Sequence, residues 1–158
     1  VLMEAGEAWS DHGGGTSGAL WGGALLAAGQ SLAQATEIGP NDVAAAFGAA
    51  LQAVIDLGQA APGDKTMLDA LQPFCLQLRA DLDEGLDLAQ ALQNAANTSL
   101  AAAAATADLL PLRGRARPHG QRSLGHPDPG AMSMAYCLLA ASAGYVGLHG
   151  VADPAQAS

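Results

Sequence analysis

Aromatic side chains make up only 4% of the 158 residues. They cannot fill a core of this size, so Ala, Leu, Val and Met must, and those residues pack best between closely spaced helices. Basic residues are nearly as scarce: six Lys and Arg stand against 15 Asp and Glu, for a net charge of -9. That balance excludes a nucleic-acid backbone or an anionic membrane surface as the general partner, because both reward a basic face. Cysteine occurs only at positions 75 and 137, each within an apolar helical stretch. Two buried thiols are expected rather than a disulfide framework, which points to a reducing cytoplasm. No secretory signal is visible, and Asp, Gln, Gly or Asn interrupts the Ala-rich runs before they reach spanning length, so neither export nor membrane insertion is expected. Alternating strand patterns are missing as well, which disfavours the parallel-sheet nucleotide folds.

What is present reads as one helical domain over residues 1–158. Residues 1–8 read as the end of a helix already under way, so upstream helices of the fold are expected to be missing. After Gly13-Gly14-Gly15, Thr16 and Ser17 are expected to cap a helix to about residue 35, with Leu20, Trp21, Ala24, Leu25, Ala28 and Leu32 on its apolar face. Spacings of three and four at Val43, Phe47, Leu51, Val54 and Leu57 predict a second helix, stopped by Gly58. A third opens near Asp64, turns Met67, Leu68, Leu71, Phe74, Cys75 and Leu78 inward, and is bent by Pro73. A fourth covers residues 86–109, including the alanine run 101–105. The last covers 131–147, with Met132, Ala135, Tyr136, Leu139 and Ala143 as its inner edge. Short connections make antiparallel neighbours, giving an all-α, up-and-down helical barrel or bundle. Residues 111–130 are too rich in Pro, Gly and Arg for a helix and read as a functional loop; residues 151–158 read as a frayed tail.

The scarce cations are grouped. Arg113, Arg115, Arg117 and Arg122 share that loop and Lys65 lies in another, leaving only Arg79 elsewhere. Guanidinium groups match phosphate geometry, so the grouping points to a local anion site, with a solvated arginine loop as the plain alternative. Gly13-Gly14-Gly15-Thr16-Ser17-Gly18 offers unhindered amides and two hydroxyls at a helix start, a phosphate cradle or an ordinary cap. Residues 58–66 nearly spell a P-loop, but Asp64 intervenes before Lys65 and no strand precedes them, so that assignment is rejected. Asp128, Pro129 and Gly130 signal another helix start.

In this order and spacing, GGTSGALWG, PGDKTMLDAL, GRA and RSLGHPDPGA resemble the L-subunit or C-terminal nucleotide-binding domain of dihydroxyacetone kinases, over nearly the whole stretch 14–143. The resemblance implies an antiparallel α-barrel that binds ATP or ADP in loops at one end, with Mg²⁺ bridging the phosphates. Carried over motif by motif, it implies that Thr16 and Ser17 contact phosphate, Gly58 and Met67 border the adenine or ribose, and Arg115 reaches the nucleotide as the catalytic residue. Asp128, Pro129 and Gly130 would close the other side, with Lys65 and Thr66 bracing their loop. The resembled family holds its ketose on a separate K-type domain, which implies that domain as a partner, and implies a phosphocarrier protein as an alternative phosphate source; a homodimer is a further expectation.

The family's aspartate-rich metal motif has no equivalent here. Asp11 and His12 read as ordinary residues at a helix terminus, and His119, His126 and His149 lack ligand spacing, so no metal ligand is assigned. Three functions stay open at this point: a ketose-kinase component, a non-catalytic regulatory or assembly homologue, and a lipid-binding helical barrel.

Overall fold

Small residues let helices approach closely, and this chain uses them throughout. The computed structural model describes residues 1–111 and 123–149, and within these the regular elements are six α-helices and one 3-10 turn. They are α1 (Leu2–His12), α2 (Gly15–Leu32), α3 (Pro40–Gly58), α4 (Leu68–Asp83), α5 (Leu88–Ala105), the 3-10 turn Thr106–Asp108, and α6 (Pro129–His149). No strand occurs among the described residues, as the missing alternation requires. Each helix packs on the next in sequence, and α6 also returns to α4. The chain runs up and down, so α1, α3 and α5 end, and α2, α4 and α6 begin, at one rim. The predicted antiparallel helical architecture is the one observed.

Glycine sets the α1–α2 crossing. A Cβ on Gly6 would lie 2.7 Å from the Gly22 carbonyl oxygen and 2.8 Å from the Leu26 amide, and one on Gly22 would run into the Ser10 hydroxyl. Gly6→Val should therefore push α1 off α2 and cost about 1–3 kcal/mol as an overpacked contact. Gly48, with nothing within 4 Å of an added Cβ, is the control: Gly48→Ala should gain about 0.5–1 kcal/mol from helix propensity. Urea unfolding of both variants checks the opposite signs.

The core is built from Leu68, Leu71, Phe74 and Leu78 of α4 against Val54, Leu88, Leu92, Met134 and Leu138, with alanines between. Phe74 is fully buried and pairs with Phe47 at 4.7 Å between ring centroids. Buried hydroxyls are satisfied across helices: Ser99 donates to the Ala70 carbonyl at 2.9 Å and Ser142 to that of Leu92 at 3.1 Å. Buried Asp81 accepts from Gln77 and from Asn94, tying α4 to α5.

Several details correct the sequence reading. Gly14, not Thr16 or Ser17, is the N-cap of α2; both hydroxyl residues lie in its exposed first turn, because Gly14 and Gly15 take positive φ and start the helix earlier. Gln59 in the left-handed region, not Gly58, stops α3. Leu57 is exposed, although its side chain reaches Gly23 of α2. The α4 helix starts at Leu68 rather than Asp64, because side chains occupy the intervening amides, and it continues through Pro73. Asp87 caps α5, accepting from the Gln90 amide.

The inner edge of α6 is Ala131, Met134, Ala135, Leu138 and Ser142, while Tyr136 and Ala143 face outward. This helix is apolar all round, so periodicity could not orient it. At 21 residues and a mean hydropathy of 1.4 over its best window, it also reaches the length of a membrane span, which the sequence reading missed; here it is a bundle helix. Both thiols are free, but Cys137 is exposed and only Cys75 is largely buried, its pKa pushed up to about 12 by that burial. Arg113, Arg115, Arg117, Arg122, His119 and the tail 151–158 lie outside the described residues.

Candidate functional site

The shared rim is formed by three connections. The α1–α2 turn brings Gly14 and Gly15 at φ +56° and +62°, after which the first amides of α2 point outward with no side chain capping them. One turn further on, Leu20 packs within 3.3 Å of the space a Cβ would fill at Gly58, so the start of α2 and the end of α3 sit side by side. His12 ends α1, its ring nitrogen 2.9 Å from the Ala8 carbonyl oxygen. That matches the reading of Asp11 and His12 as helix-terminal residues.

The α3–α4 connection is braced from within. Asp64 accepts from the Ala61 amide at 2.9 Å, and Asp69 accepts from the amides of Gly63 at 2.5 Å and Thr66 at 2.8 Å. The Thr66 hydroxyl accepts from Leu68 at 3.2 Å. Carboxylates already hold the amides that a P-loop would turn toward phosphate, a second reason why residues 58–66 are not one. Sequence reasoning missed Asp69, although Thr66-x-x-Asp69 ahead of an apolar run is the pattern of reciprocal capping.

At the start of α6, the Asp128 carboxylate accepts from the Ala131 amide at 2.7 Å, and Pro129 takes the first helical position. The Asp128 amide donates to the Thr106 hydroxyl at 2.8 Å, which itself donates to the Ala103 carbonyl at 2.6 Å. Thr106 was also missed; its signal is the hydroxyl that follows five alanines. A Cβ at Gly130 would sit 2.9 Å from the Asp128 carboxylate, which would have to shift, and 3.6 Å from the Met67 amide. The same proximity joins Met67 to the Asp128–Gly130 turn, with Met67 itself buried.

Burial raises the Asp128 pKa above its ordinary value of 3.8; the Ala131 and Gly130 amides pull it down, nearby Asp69 raises it, and Lys65 lowers it. A carboxylate left partly desolvated at a rim is a common mark of a binding site. Among the described residues no group of three or more His, Cys, Asp or Glu is placed to hold a metal ion. The described residues fit a nucleotide in kind: uncapped helix amides suit an anion, and Asp128 suits a hydroxyl or amine donor. The connections at this end of the bundle thus carry Thr16, Ser17 and Gly58 on one side and Met67, Asp128, Pro129 and Gly130 on another, while Arg115 falls in the undescribed part of the α5–α6 connection. Toward the opposite end, an apolar cavity of about 280 Å³ lies between α2, α3 and α6, lined by Trp21, Phe47, Leu71 and Leu138 among others.

Fold and rim define an all-helical domain with the uncapped start of α2 at one end. The chain belongs to the DAK2 domain family, whose model matches residues 1–143. It is 47% identical over 143 residues to the L-erythrulose kinase of Pectobacterium atrosepticum, covering 90% of this chain and 24% of that protein. It is 33% identical over 138 residues to the ADP-binding subunit DhaL of the PEP-dependent dihydroxyacetone kinase of Escherichia coli, covering 87% of this chain and 66% of the subunit. The dihydroxyacetone kinase of C. freundii in its native form superposes with a TM-score of 0.59 at 31% identity, over 89% of this chain and 23% of that one. The chain therefore spans about a quarter of the length of the erythrulose kinase it matches. Relatives with kinase names make the family one of phosphotransferases.

Proposed function

We propose that this chain is the ADP- or ATP-binding component of a ketose kinase, acting on dihydroxyacetone, erythrulose or a related ketose presented by a K-type domain or subunit. The observation that supports the reading is that the uncapped start of α2, Gly58 beside it, and the Asp128–Gly130 turn beside Met67 all belong to the same end of the up-and-down bundle. The match to an ADP-binding subunit over most of its length supports it. In this reading the first amides of α2, with Thr16 and Ser17, grip phosphate oxygens. Asp128 accepts from the ribose or adenine, and Arg115 stabilises charge on the group being transferred. Phosphoryl transfer needs geometry more than covalent help from the protein, and bundle-end turns supply fixed geometry. No step is assigned to Mg²⁺, for which the described residues offer no ligand set.

Calorimetry of the chain with ADP should show one site. Arg115→Ala should weaken it roughly 10–100-fold, the value of a charge-assisted hydrogen bond to phosphate. A kinase assay with ATP or a phosphocarrier, a ketose and a K-type domain then separates outcomes. Turnover supports the kinase component, and ADP binding without turnover supports the regulatory homologue. Native mass spectrometry finding a bound lipid and no nucleotide would overturn the reading in favour of the helical barrel as a lipid carrier.

A further inference from the structure

Lys65 is the sole lysine of the chain and is only 3% exposed. Its backbone sits at φ +62°, a region that residues with a Cβ seldom adopt. Its ammonium donates to the Ser123 carbonyl at 2.7 Å, to the Leu109 carbonyl at 3.0 Å and toward the Ser123 hydroxyl at 3.5 Å. The ion pairs found among the described residues involve Glu4 and Arg79, not Lys65. Two neutral carbonyls need only neutral donors. Burying a full charge to serve them costs more free energy than a neutral donor would, so the charge calls for a reason beyond these two bonds. Leu109 and Ser123 lie on the two flanks of residues 112–122, so this one ammonium fixes the exit from α5 and the approach to α6 relative to the α3–α4 connection. It also lies close enough to Asp128 to favour that carboxylate's charged form.

We propose that Lys65 is the positioning residue of the rim, a buried ammonium that locks its second and third connections together and keeps Asp128 ready to accept a hydrogen bond from a nucleotide. The inference rests on the nucleotide-binding reading above. The groups that face Asp128 among the described residues are Lys65 from the α3–α4 connection, Asp69 from α4, the Thr106 hydroxyl and the amides of Gly130 and Ala131. Removing the Lys65 charge leaves only the Ala131 and Gly130 amides to offset burial and Asp69, so Asp128 holds its proton to higher pH.

ADP titrations of the whole chain across pH test this, with Lys65→Met, Lys65→Gln and Lys65→Arg. Met and Gln should bind ADP at least ~10-fold more weakly near neutral pH, and the acid limit of binding should move upward. Arg, which keeps the charge, should restore that limit. A merely structural lysine would lower melting temperature without moving the limit. Should Met and Gln fail to fold, the single ¹⁵N-lysine side-chain resonance of the unmodified chain still decides. A hydrogen-bonded ammonium protected from exchange and shifted by ADP is expected; a fast-exchanging signal indifferent to ADP overturns the proposal. Folded variants that bind ADP as the parent does, with the same acid limit, overturn this role alone. A parent chain that binds no ADP overturns the nucleotide reading and this role with it.

Discussion

Phe74→Ala should destabilise the chain by about 3–5 kcal/mol, the usual cost of removing a large buried aromatic. The ring is fully buried at the centre of α4, where it packs among core residues and pairs with Phe47. Few aromatics exist to compensate: the chain has two Phe, two Trp and two Tyr. Around it stand mainly Ala and Leu, which cannot extend to refill the space. The loss should appear in urea denaturation as a lower midpoint with an unchanged slope. A loss below about 1 kcal/mol would mean that the core collapses freely around the gap, contrary to a close-packed interior.

Asp128→Asn should separate binding from stability. Asparagine caps a helix about as well as aspartate, so the Ala131 amide keeps a partner. The burial that raises the Asp128 pKa means that its ionised form is disfavoured in the folded chain relative to the unfolded one. That penalty is complete at pH values above the raised folded pKa and disappears as pH falls toward 3.8, the ordinary value. The Asn variant should therefore be at least as stable as the parent at neutral pH, with the difference closing in acid. Its affinity for ADP should fall roughly 10-fold or more, because a charged acceptor has become a neutral one. Thermal melts at several pH values and ADP calorimetry check the two halves. A variant less stable at neutral pH, yet unchanged in ADP binding, would assign Asp128 to capping alone.

The legibility of the fold followed the contrast between faces. Helix α4 was read with its inner residues correct because the polar Asp69, Gln72, Gln77 and Arg79, none of them fully buried, interrupt its apolar stripe. Helix α6 has no such marking, so its existence was legible and its orientation was not. What orients it is the Asp128 amide donating to the Thr106 hydroxyl and the Ser142 hydroxyl seated on the Leu92 carbonyl, both contacts with groups the pattern does not display. Turn residues were legible as turns but misassigned by one or two positions: glycine was expected at the end of α3, and Gln59 takes the left-handed conformation instead. At the rim, the glycine and proline motifs could be found because their spacing is local. Thr106 holds the Asp128 amide, which only the folded chain brings near, so it did not stand out; Asp69 holds amides three and six residues back, a local capping pattern that was legible but passed over.

Where Gly6 meets Gly22, main chain touches main chain with no layer of side chains between to act as a lubricant. The two rods are keyed rather than merely stacked, and neither can creep lengthwise past the other without collision. Extra residues inserted at Gly13 and Gly14 would have to loop outward into solvent. The register of α1, and with it the direction in which the leading peptide dipoles of α2 point, would stay as it is.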